Sequence, residues 1–193
     1  MTVPFTCTTP DKFFWLNKPE HKIDNGKLTI TTADKTDFWQ RTHYGFSRDN
    51  GHAMLSSISG NFTITVKSRF QYRNRYDQCG ILLRIDGLNW IKVSAEHEES
   101  GINRLGSVIT NLGYSDWATT DIDSRITEMW YRVKCRDNDF IIESSPDGSN
   151  WMQMRIAHLH SRQRPLNAGI YACSPEDGGF EAEFSDFSIE SDK

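Results

Sequence analysis

The sequence predicts an all-β protein, an antiparallel β-sandwich or jelly roll. Apolar and polar residues alternate with period two along most of the chain, and hairpin-forming dipeptides separate the alternating runs. No apolar pattern sustains three turns of an amphipathic helix. A dozen or more short strands with turn signals roughly every 8–12 residues is the pattern of such a sandwich.

The elements follow in order. Met1-Thr2-Val3-Pro4-Phe5 has neither the basic nor the apolar segment of a secretory signal. The stretch Asp11 to Leu16 reads as a short turn at most. Asn25-Gly26, between Ile23 and Leu28, is a two-residue hairpin signal, because both residues tolerate positive φ. Phe62, Ile64, Val66 and Phe70 stripe one face of segment 62–70, with Thr or basic residues opposite. Cys79, Ile81, Leu83 and Ile85 form the next stripe, and Ile91, Val93 and Ala95 follow the turn Asp86-Gly87. Leu105 to Thr110 is a further strand. Met129, Tyr131, Val133 and Cys135 alternate with Trp130, Arg132 and Lys134, and Asp147-Gly148 marks another turn. Phe180, Ala182 and Phe184 then change phase to Phe187 and Ile189, a slip that one extra residue near Ser185-Asp186, a β-bulge, accounts for. No fixed-period repeat or linker-like stretch interrupts the pattern, so residues 1–193 are expected to form a single domain.

A chain of 193 residues is long enough to bury a sizeable core without disulfides or metal. Its 22 basic and 26 acidic residues give a net charge of −4. That balance argues against bulk binding to nucleic acid or to an anionic membrane, both of which require a basic field. Apolar runs stay far short of the roughly 20 residues that span a bilayer. Cys7, Cys79, Cys135 and Cys173 are widely separated, with no C-x-x-C pair for zinc or redox chemistry. Three of them sit in apolar strand patterns, where a free thiol behaves as a small hydrophobe. A reduced, cytoplasmic protein is the expectation, and the sequon Asn61-Phe62-Thr63 is then inert.

The polar faces hold the chemistry. Strand 90–96 sends Trp90, Lys92, Ser94 and Glu96 away from its apolar stripe, and strand 78–85 does the same with Gln78, Gly80 and Arg84. Leu82 breaks that polar face, as though something covers it. Gln78, Lys92 and Glu96 on a shared surface would be hydrogen-bonding groups near aromatic rings, which suits a sugar with its hydroxyls and apolar C–H face; an ordinary solvated sheet is the competing reading. Asp37-Phe38-Trp39-Gln40-Arg41-Thr42-His43-Tyr44-Gly45 and Ser115-Asp116-Trp117 are two further polar–aromatic clusters.

Catalytic patterns are weaker. Glu96-His97-Glu98-Glu99 contains carboxylates two apart, as a glycosidase would use, but the run passes into Ser100-Gly101, which reads as a loop. The histidines lack ligand-pair spacing, and Asp121-Ile122-Asp123 alone is thin support for calcium, so no metal and no cofactor is expected. Lys67 to Tyr76, with four cations and three aromatics, suits either a phosphate group or a solvated hairpin end.

Six segments taken together resemble one family. They are Phe14-Trp15-Leu16-Asn17-Lys18-Pro19, Asp37 to Gly45, Tyr76-Asp77-Gln78-Cys79-Gly80-Ile81, Trp90-Ile91-Lys92, Ser115-Asp116-Trp117-Ala118, and Ala172-Cys173-Ser174-Pro175 with Gly179-Phe180. In that order they are similar to the concanavalin-A-like domain-of-unknown-function family that includes the yeast "regulation of enolase" protein, over residues 12 to 190. The resemblance implies a lectin- and glucanase-type jelly roll whose curved sheet carries a ligand on its concave side. It also implies a place in carbohydrate metabolism, with no established enzymatic activity in the family. Positions matching its motifs are Asp37, Trp39, His43, Tyr44, Gln78, Lys92, Glu96, Asp116 and Trp117. The function expected is non-catalytic binding of a sugar or small polar metabolite, with Lys92 neutralising the ligand if it is anionic. The alternatives are a glycoside hydrolase using Glu96 with Asp37 or Asp116, and a regulator that contacts a glycolytic enzyme.

Overall fold

The computed structural model describes residues 13–98, 101–160 and 166–191, so Cys7, Glu99 and Ser100 lie outside the described residues. The first strands are β1 (Phe13–Leu16), β2 (Glu20–Asp24), β3 (Lys27–Thr31), β4 (Phe38–Gln40), β5 (Ser47–Asp49) and β6 (His52–Ile58). Then come β7 (Phe62–Phe70), β8 (Gln78–Asp86), β9 (Asn89–His97), β10 (Ile102–Asn111) and β11 (Tyr114–Asp123). The chain ends with β12 (Glu128–Arg136), β13 (Asp139–Ser145), β14 (Met152–His158), β15 (Leu166–Cys173) and β16 (Glu181–Ser191). No helix occurs among the described residues, and none is therefore long and apolar enough to cross a membrane.

Two seven-stranded antiparallel sheets form the sandwich, one ordered β1-β6-β15-β8-β9-β10-β11 and the other β14-β13-β12-β7-β16-β3-β2. The expected stripes face each other across the core. Ile64, Val66, Tyr131, Val133 and Phe184 of the second sheet meet Cys79, Ile81, Leu83, Ile91 and Val93 of the first. Tyrosines of the opposite layer also clamp Ala95 of β9. Its N–H donates to the Tyr131 hydroxyl at 2.6 Å, and its carbonyl accepts from the Tyr72 hydroxyl at 2.8 Å.

Turn chemistry follows the sequence. Asn25 and Gly26 both have positive φ, 48° and 77°, as a two-residue hairpin loop requires. The phase change in β16 is a register shift between Ser185 and Ser188, with Asp186 at φ 49°. Residues Phe13–Leu16 depart from the expected turn. They form an edge strand paired with β6, since Trp15 and Phe13 pack on the core and the Phe13 ring meets Phe187 at 5.8 Å. A four-residue segment has too few periods for its alternation to be read, so only the partner strand reveals it.

The face of the first sheet turned away from the core is covered as well. β4 and β5 pair as a separate ribbon, and their Phe38 and Trp39 pack with Leu82, Trp90, Val108, Tyr171 and Cys173. Leu82 is fully buried there, which is why a leucine interrupts an otherwise polar face. Arg84 holds the ribbon from the sheet side, donating to both carboxylate oxygens of Asp49 at 2.7 Å.

Two glycines on this covered face leave no room for a side chain. A Cβ at Gly80 would lie 2.0 Å from the Val93 carbonyl oxygen, and one at Gly169 would lie 1.9 Å from that of Met54. Gly80→Ala is expected to destabilise by about 1–3 kcal/mol, because backbone must move to relieve the overlap. Urea titration of the variant against the parent chain checks this, and equal midpoints would refute it.

Candidate functional site

Between the ribbon and the first sheet lies a cleft of about 300 Å³. Its floor comes from adjacent strands, and alternation explains its composition: Lys92 and Glu96 are four residues apart on β9, and Gln78 pairs with Glu96 across β8. Asp37 reaches the floor from the segment before β4. Its carbonyl accepts from the Asn50 and Gly51 N–H groups, and its own N–H donates to the Asn50 side chain.

Hydrogen bonds lock the floor. Lys92 Nζ donates to Asp37 Oδ1 at 3.0 Å, with both side chains at most 10% exposed. The same oxygen accepts the Phe38 N–H at 2.7 Å. Gln78 Nε2 donates to Glu96 Oε2 at 2.8 Å, and Gln78 Oε1 accepts from the Tyr171 hydroxyl at 3.1 Å. Tyr171 shares a further 2.8 Å bond with the Ser94 hydroxyl. Asp37 Oδ2, Glu96 Oε1 and two of the three Lys92 N–H positions carry no hydrogen bond from the described residues, so the floor has spare donors and acceptors.

Burial and charge set the protonation states. Burial opposes the Lys92 charge, but the Asp37 carboxylate, helped by Glu96, overcomes it and raises the Lys92 pKa. Burial pushes Glu96 up to about 8; the Lys92 ammonium pulls it down, while Asp37 and Glu98 push it further up. At neutral pH the floor therefore combines an ion pair with a largely neutral carboxyl group.

Aromatic rings wall the cleft. Trp39 is fixed by its indole N–H donating to the Thr42 carbonyl at 3.1 Å, and Trp117 of β11 lines the cleft together with Tyr44. The remaining lining comes from Phe46, Arg48, Tyr76, Val108, Pro175 and Glu176.

Residues 15–192 match a family described as Protein of unknown function (DUF1349). The chain belongs to that family. The six ordered segments point to the same assignment, since the family includes the yeast protein they resemble. This DUF1349 member is 39% identical to Regulation of enolase protein 1 of Saccharomyces cerevisiae over 176 residues, 91% of this chain and 87% of the relative. Its fold is similar to the crystal structure of a functionally unknown protein from Saccharomyces cerevisiae. That match has a TM-score of 0.88 at 36% identity and covers 94% and 97% of the two chains. The fold alone is shared with a mutant of the GH43 protein BlXynB from Bacillus licheniformis, at TM-score 0.76 and 16% identity. There the match spans 99% of this chain and 39% of that one.

Of the nine residues singled out in the sequence, seven line the cleft of this DUF1349 member: Asp37, Trp39, Tyr44, Gln78, Lys92, Glu96 and Trp117. His43 and Asp116 do not. The exposed His43 ring rests against Tyr44, at 4.8 Å between centroids. Asp116 is adjacent to Trp117 on a strand, so one facing the cleft sends the other away, and Asp116 instead pairs with Arg155 of β14 at 2.8 Å. That placement takes Asp116 out of the hydrolase pair considered with Glu96. The carboxylate run also divides, because Glu98 lies past the end of β9 and is held by Arg75 and Arg104.

Asp121 and Asp123 are each engaged by an arginine, Arg104 at 2.6 Å and Arg125. In the basic stretch Lys67 to Tyr76, Lys67 pairs with Glu128 at 3.0 Å and Arg73 donates to the Gly179 carbonyl at 2.9 Å. Phe46 and Arg48, which sequence reasoning missed, stand just beyond the aromatic cluster that ends at Gly45. Their spacing of two and four residues from Tyr44 was the available signal. Pro175 ends one of the six family-like segments, whereas Glu176, just beyond it, had no comparable signal.

Proposed function

We propose that this DUF1349 member is a non-catalytic binding protein that takes a neutral sugar in the cleft between the ribbon and the first sheet. The observation that carries this reading is the buried Asp37–Lys92 pair beside Glu96 and Gln78, with hydrogen-bonding capacity to spare, beneath aromatic walls. Sugar hydroxyls both donate and accept, and would meet both kinds of group on the floor; the C–H faces would meet Trp39 and Trp117. Lys92 has its counter-ion inside the protein, which argues for a neutral ligand over an anionic one.

A thermal-shift screen of the purified protein against neutral sugars, their glycans and sugar phosphates tests this. A bound ligand at 100 times its Kd stabilises the native state by about 2.7 kcal/mol. The shift is expected from neutral sugars and is expected to disappear in Trp39→Ala and in Trp117→Ala, the second of which removes a less buried ring. A response confined to sugar phosphates, or to none of the panel, overturns the reading.

Hydrolysis is the second reading, favoured by a neutral Glu96 sharing the cleft with the Asp37 carboxylate, as an acid and a base would. It predicts release of reducing ends that Glu96→Gln abolishes. The name of the yeast relative favours a third, contact with a glycolytic enzyme, which co-purification with enolase would test. A cytoplasmic location belongs to the same proposal, and the buried thiols of Cys79 and Cys173 support a reducing compartment.

A further inference from the structure

Exposure rises along the aromatic wall of the cleft. Trp39, at its base, is 7% exposed, whereas Phe46 and Tyr44 are 42% and 56% exposed. The Tyr44 ring meets Trp39 edge-on at 5.4 Å and stacks on Phe46 at 5.8 Å with an interplanar angle of 23°. Large rings left this far in water need an explanation when they stand together on the wall of a cleft with a charged floor.

Folding of the turn does not supply one. Its conformation is held by backbone bonds, from the Arg41 N–H to the Phe46 carbonyl and from the Gly45 N–H to the Arg41 carbonyl, both 2.8 Å. Arg41 and His43 adopt left-handed φ values of 55° and 62°, and Gly45 one of 75°. For non-glycine residues that conformation has a cost, and it persists where surrounding structure imposes it. Arg48, which also lines the cleft, lies 5.4 Å from the Phe46 centroid and donates to the Pro175 carbonyl at 2.9 Å, tying this wall to the segment after β15.

We infer that the ligand is a glycan chain of at least two units, one on the Asp37–Lys92–Glu96 floor and the next against the Tyr44–Phe46 wall. This rests on the carbohydrate reading above and narrows it from sugars in general to oligosaccharides. The whole cleft, with Tyr44 and Phe46 in its lining, holds about 300 Å³, the small end for a ligand site, so a chain that fills the floor runs out past these two rings. There the protein presents two exposed aromatic rings, Tyr44 and Phe46, with the Arg48 guanidinium beside Phe46. A sugar ring stacks on such faces through its C–H groups, which needs no exact hydroxyl pattern. The floor therefore selects the inner unit, and the wall rewards chain length.

The test is isothermal titration of the full chain with D-glucose, D-xylose, D-mannose and D-galactose, each beside its linear oligomers. In the series that binds, affinity is expected to rise about tenfold or more from monomer to short oligomer, a difference of about 1.4 kcal/mol. Tyr44→Ala and Phe46→Ala are each expected to bring the oligomer-to-monomer affinity ratio down toward one, with melting temperatures showing that both variants fold. Equal affinity for monomer and oligomer, or a ratio that survives both substitutions, overturns the inference and leaves the single-sugar reading standing. Failure of every sugar in the panel to bind overturns both.

Discussion

Asp37→Ala is expected to destabilise the protein by about 3–5 kcal/mol, the usual consequence of removing one partner from a buried ion pair. Lys92 is only 3% exposed and has no other acceptor among the described residues, so the variant leaves an ammonium group buried and unpaired. The Phe38 N–H loses its acceptor too, which loosens the start of β4. Chemical denaturation reads the loss directly. Replacing both partners together, Asp37→Leu with Lys92→Met, is expected to recover most of it, since two apolar side chains leave no uncompensated charge. A single variant within about 0.5 kcal/mol of the parent would mean that the pair contributes nothing to folding. The double variant also separates stability from function: it is expected to fold and to bind no sugar.

Stability is also expected to fall as pH rises from about 4.5 to about 8, through Glu96. Burial raises its folded-state pKa from the ordinary 4.5 to about 8, so in this window the native state holds a proton that the unfolded chain has released. Above the unfolded value each pH unit then removes up to about 1.4 kcal/mol, until the folded group itself ionises near pH 8. Below pH 4.5 both states are protonated and the contribution is complete. Urea titrations at unit steps from pH 5 to 8 measure the slope. Glu96→Gln, which keeps the shape and an acceptor for the Gln78 amide, is expected to flatten it. An identical slope in parent and variant would assign the pH dependence elsewhere.

Much of the sandwich can be read locally. Phe62, Ile64 and Val66, or Met129, Tyr131 and Val133, alternate because successive side chains of a strand point to opposite faces, whatever the strand's partner. The Ser185–Asp186 bulge is visible for the same reason, as a lost beat in the alternation. Lys92, Glu96 and Gln78 could be placed on one face by parity alone. His43 and Asp116 mark where this reasoning ends. Membership of a polar–aromatic cluster brings a residue near a site without aiming it, and parity with Trp117 already turns Asp116 away. β1 was hidden because its four residues have no period of their own and are held by β6.

The sequence by itself determined that the chain is all-β, which stripes face the core, where the main turns fall, and that Leu82 interrupts a polar face. It also carried the family, through short motifs in a fixed order. Only the tertiary structure decided that the β4–β5 ribbon lies over the outer face of the first sheet, burying Leu82 and enclosing the cleft. That decision brings Asp37 to Lys92 across 55 residues and sets the Asp37 charge near Glu96, where it adds to the upward push of burial. Alternation is a property of each strand's own backbone, whereas desolvation and ion pairing depend on which distant surfaces meet.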